Sequence, residues 1–259
     1  WQIMVKYLLK KSYQRKNLKE IEFDDLWNKD GVFTTMWLYN KPPKILFFKS
    51  HIENLLKSLK AYKISEPDIK SKILKLIDVN INKKKSYNHL LRVALNKKII
   101  SISLRDRVKP KNNFGIKLVN YERVKPEYKN LKYKKILSYL SKMNTSKEDI
   151  ALCVKDRIFE TGTSNLLFVK NNKIYSPKNK YYRGTNFKFY EKKFNIIKKD
   201  IYLKELNQFD EILLIGSGKG IVSTSYILDS KWKRKKTTVF NSMYKIFEKE
   251  FRKEKYIYN

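Results

Sequence analysis

The sequence has few of the residues that cross-link or bend a chain. Its 259 residues include one cysteine, seven glycines and six prolines. A single cysteine excludes a disulfide within the chain and fits a reducing compartment such as the cytoplasm. We expect Cys153, in the apolar segment 150–154, to be a buried side chain and not a nucleophile. No apolar run reaches 18 residues, so no membrane-spanning helix is predicted.

Acidic residues are also scarce. The chain has 25 Asp and Glu against 59 Lys and Arg, a formal charge of +34. Nearly all the basic residues are lysines spread along the whole chain, whereas nucleic-acid readers concentrate arginine and stacking aromatics on one face. No zinc-ligand spacing, RNP-like motif or helix-turn-helix signature is present. The charge therefore predicts only non-specific, salt-sensitive attraction to nucleic acid.

The composition nevertheless supports a large folded core, since 42% of the residues are hydrophobic and 14% aromatic. The polar segment Arg105–Asn113 is the clearest linker signal. We predict an α/β (α+β) protein with a small N-terminal domain at 1–105, a linker at 106–114 and a larger C-terminal domain at 115–259.

Periodicity and turn residues place the elements. In the first half, a strand after Gly31 forms a hairpin with 45–48, helices follow from His51 and over 66–79, and strands cover 89–95 and 98–104. In the second half, helices are predicted over 129–143 and 189–199, with strands at 115–121, 150–154, 158–160, 166–169, 173–175 and 211–215.

Three small-residue turns follow or interrupt these strands. Glu160–Asn165 places a carboxylate in a polar bend, for which the alternative is an ordinary β-turn with a solvated glutamate. Gly216–Gly220 holds three of the seven glycines after an apolar strand, so its backbone N–H groups and the Ser217 hydroxyl suit a phosphate. A tight strand connection is the alternative there, and Gly184–Asn186 has the same two interpretations. Neither a Walker loop nor G-x-G-x-x-G is present.

The order of these motifs resembles the fold-type IV pyridoxal-phosphate enzymes, which include the class IV aminotransferases and the aminodeoxychorismate lyases. D-G-V-F-T-T-M at 30–36 is similar to the family's G-x-x-F-E-T strand, and H-I-E-N-L at 51–55 is similar to its H-x-x-R-L helix. E-T-G-T-S-N-L-L-F at 160–168 matches E-x-x-x-S-N-x-F. Y-S-P with R-G-T-N resembles T-P with L-x-G-x-T, and F-D-E-I-L-L-I-G-S-G resembles A-D-E-V-F-x-T-G-T. The likeness covers about 31–227.

The resemblance implies a two-domain fold like that of D-amino acid aminotransferase, a site between the domains, and pyridoxal 5'-phosphate as the cofactor. It also implies a small-molecule amino substrate and a homodimer. The activity would be that of an amino acid transaminase or a 4-amino-4-deoxychorismate lyase. The other function considered is a catalytically degenerate member that acts as a basic, nucleic-acid-binding protein.

The resemblance also implies roles for particular residues. A lysine would bind the cofactor covalently and move the substrate's α proton, with Lys129 favoured by its spacing from Glu160 and Lys132 and Lys135 as alternatives. Glu160 would pair with the pyridine nitrogen, and Tyr133, one helical turn after Lys129, with the ring oxygen. The phosphate would be held by Ser217, Gly218, Thr185 and Asn186.

Three positions depart from the family pattern. Asn54 stands where the family has the arginine that clamps the phosphate, so a bidentate charge is missing there. Thr34 replaces the glutamate of the F-E-T motif, and Phe187 replaces an arginine that often follows G-x-T.

Overall fold

The computed structural model describes residues 6–64 and 68–253. The chain divides into two compact units. One contains the described residues up to Arg107 together with Tyr128–Lys134, and the other contains Val108–Glu127 and Lys135–Arg252. The segment Tyr128–Lys134, which the sequence had placed in the C-terminal domain, thus belongs to the N-terminal unit. The predicted α/β class is confirmed, because each unit combines a sheet with helices.

The N-terminal unit has a six-stranded sheet in the order β2-β1-β6-β5-β3-β4, in which all neighbours are antiparallel. Its strands are β1 (Tyr7–Gln14), β2 (Glu20–Ile21), β3 (Val32–Asn40), β4 (Lys44–Ile45), β5 (Tyr87–Leu95) and β6 (Ile99–Asp106). Its helices are α1 (Phe48–Ala61) and α2 (Ile69–Asn80).

One face of this sheet is covered by the helices. Met36 and Leu38 of β3 belong to the same buried cluster as Ile52 and Leu55 of α1. The alternation of β3 thus gives its even-numbered residues to the helix-covered core. Helix α1 begins three residues before the predicted His51. The predicted start of α2 at Glu66 and Pro67 lies outside the described residues.

The C-terminal unit has a nine-stranded mixed sheet in the order β12-β11-β10-β14-β15-β7-β8-β9-β13. Its strands are β7 (Phe114–Asn120), β8 (Glu148–Val154), β9 (Arg157–Thr161), β10 (Asn165–Lys170), β11 (Lys173–Pro177), β12 (Ile196–Lys199), β13 (Ile201–Tyr202), β14 (Glu211–Gly216) and β15 (Gly220–Ile227). The helices are α3 (Lys134–Leu140), α4 (Thr185–Glu191), α5 (Thr238–Phe251) and a 3-10 turn at Leu203–Gln208. No helix within the described ranges has the length and apolar character needed to cross a bilayer.

The predicted helix over 129–143 is wrong in its first half, since α3 spans only Lys134–Leu140. The backbone before α3 is extended because it pairs with the start of β3. The Phe33 N–H donates to the Lys129 carbonyl at 3.0 Å, and the Leu131 N–H donates to the Gly31 carbonyl at 3.0 Å. These bonds use backbone groups that a helix would have used internally.

The predicted helix over 189–199 is correct only at 189–191, because α4 spans Thr185–Glu191 and Ile196–Lys199 is strand β12. Ile174 of β11 is the register partner of Ile196 in a parallel pair. Two adjacent β-branched residues, Ile196 and Ile197, favour the strand. The small-residue turn Gly184–Asn186 is therefore the beginning of a helix and not a separate loop.

A buried carboxylate joins helix α5 to the sheet. Glu211, 1% exposed, accepts hydrogen bonds from the N–H groups of Val239 and Phe240, each at 2.9 Å. Both N–H groups lie in the first turn of α5, where the helix itself provides no acceptor and its dipole favours a negative charge. Glu211 therefore fixes where α5 begins against β14.

We expect Glu211→Ala to lower the free energy of unfolding by about 2–4 kcal/mol, because two buried N–H groups lose a charged acceptor. Urea denaturation followed by circular dichroism measures this. The matched control is Glu248→Ala on the same helix, whose side chain is 42% exposed and 3.9 Å from Arg252. That change should cost about 0.5 kcal/mol or less. Equal losses for the two variants would contradict the capping role of Glu211.

Candidate active site

Glu160 is not the solvated glutamate of an ordinary turn. It lies at the end of β9 and is 5% exposed. Its Oε1 accepts a hydrogen bond from Arg123 Nε at 2.6 Å, and its Oε2 accepts one from the Tyr182 N–H at 3.1 Å. Arg123 is 3% exposed and also donates from Nη2 to the Pro126 carbonyl at 2.6 Å. The ion pair and the N–H bond favour an ionised carboxylate in a fixed orientation.

The bend that follows Glu160 is organised by a second buried acid, Asp149 of β8. Its Oδ2 accepts hydrogen bonds from Thr161 Oγ1 at 3.0 Å and Thr163 Oγ1 at 2.7 Å. Lys219, from the glycine turn, places its Nζ 3.0 Å from the same oxygen. The bend and the glycine turn therefore share one carboxylate.

The glycine turn and the start of α4 bring hydroxyl groups together. Ser217 Oγ and Thr185 Oγ1 are 3.2 Å apart. Asn186 Nδ2 donates to the carbonyls of Gly216 and Gly220 at 3.3 and 3.5 Å, which ties α4 to the turn. The turn needs its glycines, because Gly220 has φ of 74° and a Cβ on Gly216 would lie 2.7 Å from Ser164 Oγ. Ser217, Thr185 and Asn186 thus form one polar cluster, with Gly218 in the same turn.

Lys129 lies in the N-terminal unit beside β3. It is partly buried, and its Nζ is 5.0 Å from the centroid of the Phe33 ring. Nearby His51 of α1 is 4% exposed, with Nδ1 2.8 Å from Thr34 Oγ1. Burial, and secondarily the positive charge of Lys129, lower the pKa of His51 to about 3. The imidazole is therefore neutral at ordinary pH, and Thr34, at the position of the family's glutamate, is its partner.

The alternative lysines have different surroundings. Lys132 Nζ forms an ion pair with Asp30 at 3.0 Å, and the Asp30 side chain is 87% exposed. Lys135 is exposed on α3, where its Nζ lies 5.3 Å from the Tyr139 ring. Lys129 is the one of the three whose Nζ lies near the Phe33 ring of β3 and whose charge acts on His51 of α1.

The prediction that Tyr133 lies one helical turn after Lys129 is wrong, because the segment between them is not helical. Its ring stacks on Trp27 with centroids 5.8 Å apart and meets Phe33 edge-on at 5.2 Å. Asn54, at the position of the family's clamping arginine, is buried on α1 at 5% exposure. Phe187 is fully buried in α4, so the arginine expected there is replaced by a core residue.

Sequence reasoning missed Arg123, Asp149 and Lys219. The sequence did contain a signal for Arg123. Arginine is rare in this lysine-rich chain, and an arginine is favoured over a lysine where the planar guanidinium can pair with a carboxylate. The partner of Asp149 depends on tertiary contacts that spacing does not reveal. Cys153 is buried as expected, and burial raises the pKa of its thiol. Across the described residues, no three His, Cys, Asp or Glu side chains form a group suited to a metal ion.

The fold and these residues define a two-unit enzyme scaffold with an anchored carboxylate in one unit. The sequence model of the amino-transferase class IV family matches residues 31–227. The chain belongs to the class IV aminotransferase family, as the motifs predicted. No curated protein sequence matches it.

Solved structures share the fold at low sequence identity. A branched-chain aminotransferase from Thermoproteus uzoniensis, solved with norvaline, is 15% identical with a TM-score of 0.76, over 95% of this chain and 96% of that one. The branched-chain aminotransferase of Escherichia coli is 13% identical with a TM-score of 0.73, over 88% of each chain. A 4-amino-4-deoxychorismate lyase assigned in Legionella pneumophila is 15% identical with a TM-score of 0.67, over 85% and 91%.

The pKa of His51 predicts a pH dependence of stability. The unfolded chain takes up a proton at His51 below pH 6.5, whereas the folded chain does so only near pH 3. The free energy of unfolding should therefore fall as the pH drops from 6.5 towards 3, by up to about 1.4 kcal/mol per pH unit.

Urea denaturation at several pH values tests this. His51→Gln should flatten the slope, because the amide does not titrate and can still bond Thr34. His89→Gln changes the chain's other histidine, which lies 3.3 Å from Asp106, and should leave the slope in place. A slope that is the same in all three proteins would show that His51 is not its source.

Proposed function

We propose that this class IV family member is a pyridoxal-phosphate-dependent enzyme that acts on the amino group of a small-molecule substrate. The observation that carries the proposal is the buried Glu160, held by Arg123 at 2.6 Å and by the Tyr182 N–H at 3.1 Å. A protonated pyridine nitrogen needs a fixed carboxylate beside it, and this bend supplies one. Class IV membership supports the same cofactor.

The residues present fit the cofactor's chemistry. A ring N–H needs a carboxylate acceptor, and the bonds from Arg123 and the Tyr182 N–H fix the orientation of the buried Glu160 carboxylate. The Ser217 and Thr185 hydroxyls, 3.2 Å apart, are donors of the kind that hold a phosphate. Ser164 Oγ is a buried hydroxyl with no hydrogen-bond partner, beside Gly216.

When bound, pyridoxal phosphate supplies a conjugated ring that withdraws electrons from the bond broken at the substrate's α carbon. Glu160 would accept a hydrogen bond from the ring nitrogen and favour its protonated form. Arg123 holds the Glu160 carboxylate in place. Lys129 Nζ would attach the cofactor, and after exchange with the substrate's amine the freed Lys129 amine would accept the α proton and return it.

Neutral His51 helps Lys129 in this role. A second positive charge beside Lys129 would make its amine a weaker base for the α proton. Because the pKa of His51 is lowered to about 3, the imidazole adds no charge beside Lys129 at neutral pH. Thr34 holds the ring through Nδ1 at 2.8 Å.

Both reaction types of the family stay within the proposal, an amino acid transaminase and a 4-amino-4-deoxychorismate lyase. The similar structures include named examples of each. The homodimer that the resemblance implies stays a prediction, as does location in the cytoplasm.

Glu160→Gln should keep the bound cofactor's colour while turnover falls by ~100-fold or more, about 2.7 kcal/mol of barrier. The amide has nearly the same size but no charge to keep the ring nitrogen protonated. Single-turnover absorbance measures the chemical step apart from cofactor binding. The matched control is Glu122→Gln, whose carboxylate forms a part-exposed ion pair with Lys180 at 2.8 Å and should be dispensable. Unchanged turnover in a Glu160→Gln protein that binds the cofactor would remove Glu160 from the mechanism.

Lys129→Ala should abolish covalent attachment of pyridoxal phosphate, whereas Lys132→Ala should not. Borohydride reduction of the wild-type protein with bound cofactor, followed by peptide mapping, identifies the attached lysine directly. Modification at Lys129 that is lost in Lys129→Ala is the expected result. Attachment at Lys132 or Lys135 would transfer the role to that residue, and no attachment at any lysine would overturn the proposed function.

A further inference from the structure

We propose that Lys219 is a positioning residue that fixes the glycine turn for recognition of the cofactor's phosphate. The inference rests on the proposed function, because it assumes that Ser217 and Thr185 bind that phosphate. Lys219 lies two residues after Ser217, and its side chain is only 11% exposed. A lysine side chain with so little exposure in a tight turn needs a partner for its charge, and that partner determines where the turn lies.

The partner is Asp149, which is completely buried. Lys219 Nζ lies 3.0 Å from Asp149 Oδ2 and donates to Thr163 Oγ1 at 2.6 Å. Thr163 Oγ1 in turn donates to Asp149 Oδ2 at 2.7 Å, which closes a triangle of polar groups. The other carboxylate oxygen, Oδ1, accepts the Ile150 N–H at 2.8 Å. Asp149 cannot move without breaking contacts to its own strand.

The triangle joins two functional turns. Thr163 belongs to the bend that begins with Glu160, and Lys219 belongs to the turn that carries Ser217. The two turns also touch directly, because a Cβ on Gly216 would meet Ser164 Oγ at 2.7 Å and the Thr163 carbonyl at 3.1 Å. With Lys219 paired, the Ser217 hydroxyl is held opposite Thr185 Oγ1.

The role is positional and not that of a counter-ion to the phosphate. Asp149 and Lys219 carry opposite charges 3.0 Å apart, so the pair presents little net charge to an incoming dianion. If Lys219 neutralised the phosphate directly, removing the charge of Asp149 would strengthen phosphate binding. If Lys219 positions the turn, removing either charge weakens it.

The test compares the affinity for pyridoxal phosphate with that for pyridoxal, which lacks the phosphate, by absorbance titration of the full chain. Lys219→Met should lower the affinity for pyridoxal phosphate about tenfold and leave that for pyridoxal unchanged. Asp149→Asn should also lower the affinity for pyridoxal phosphate relative to that for pyridoxal. Lys219→Arg, which keeps the charge, should have the wild-type preference for pyridoxal phosphate. Lys180→Met removes a part-exposed lysine of the same unit and serves as the control.

The outcomes separate this inference from the function on which it rests. A wild-type protein that binds neither compound contradicts the proposed function. If Lys219→Met keeps the wild-type preference for pyridoxal phosphate over pyridoxal, only the positioning role is overturned. The same holds if Asp149→Asn shows a stronger preference than the wild type. Equal losses for both compounds mean a general structural role and also overturn it. Should Lys219→Met fail to fold, Lys219→Gln, which can still bond Thr163 without a charge, gives the same comparison.

Discussion

The buried ion pair between Arg123 and Glu160 is the interaction on which the candidate site depends. Both side chains have left water, which costs several kcal/mol per charge before their mutual attraction is counted. The cost is offset in part because each side chain makes a further hydrogen bond, Arg123 to the Pro126 carbonyl and Glu160 from the Tyr182 N–H. Such a pair contributes little to stability but defines one orientation of the carboxylate, which is what a hydrogen bond to a ring nitrogen requires.

The lysine-rich composition of the whole chain does not describe which basic residues are buried. Among the described residues the most buried cation is Arg123 at 3% exposure, followed by Arg92 and Lys44 at 9% each. Arg92 lies 3.7 Å from the centroid of Trp27, where its weakly hydrated plane can stack. Lysine holds a compact, strongly hydrated charge and is therefore left mostly at the surface. The net charge thus describes the solvent-facing shell and gives little information about the site.

The sequence was most informative where local pattern and tertiary role agree. Strands β3 and β14 and the turns at Glu160 and Gly216 could be predicted, because apolar runs ending in small residues allow few other structures. The helix predicted to begin at Lys129 begins only at Lys134. The apolar periodicity is present in the sequence, but the backbone of Lys129 and Leu131 pairs with the start of β3. Arg123 and Asp149 could not be predicted as site residues. Their partners lie 37 and 70 residues away along the chain, and only the folded sheet brings them together.

The lone thiol of Cys153 has a consequence for the chemistry that can be done on this protein. It lies in β8, 8% exposed, donates to the Val119 carbonyl at 3.4 Å, and has a raised pKa, so little of it is the reactive thiolate. The natural chain is therefore nearly inert to alkylating reagents. A cysteine placed on its surface would be the one that reacts, which allows a spectroscopic label to be attached at a chosen position without first removing a native residue.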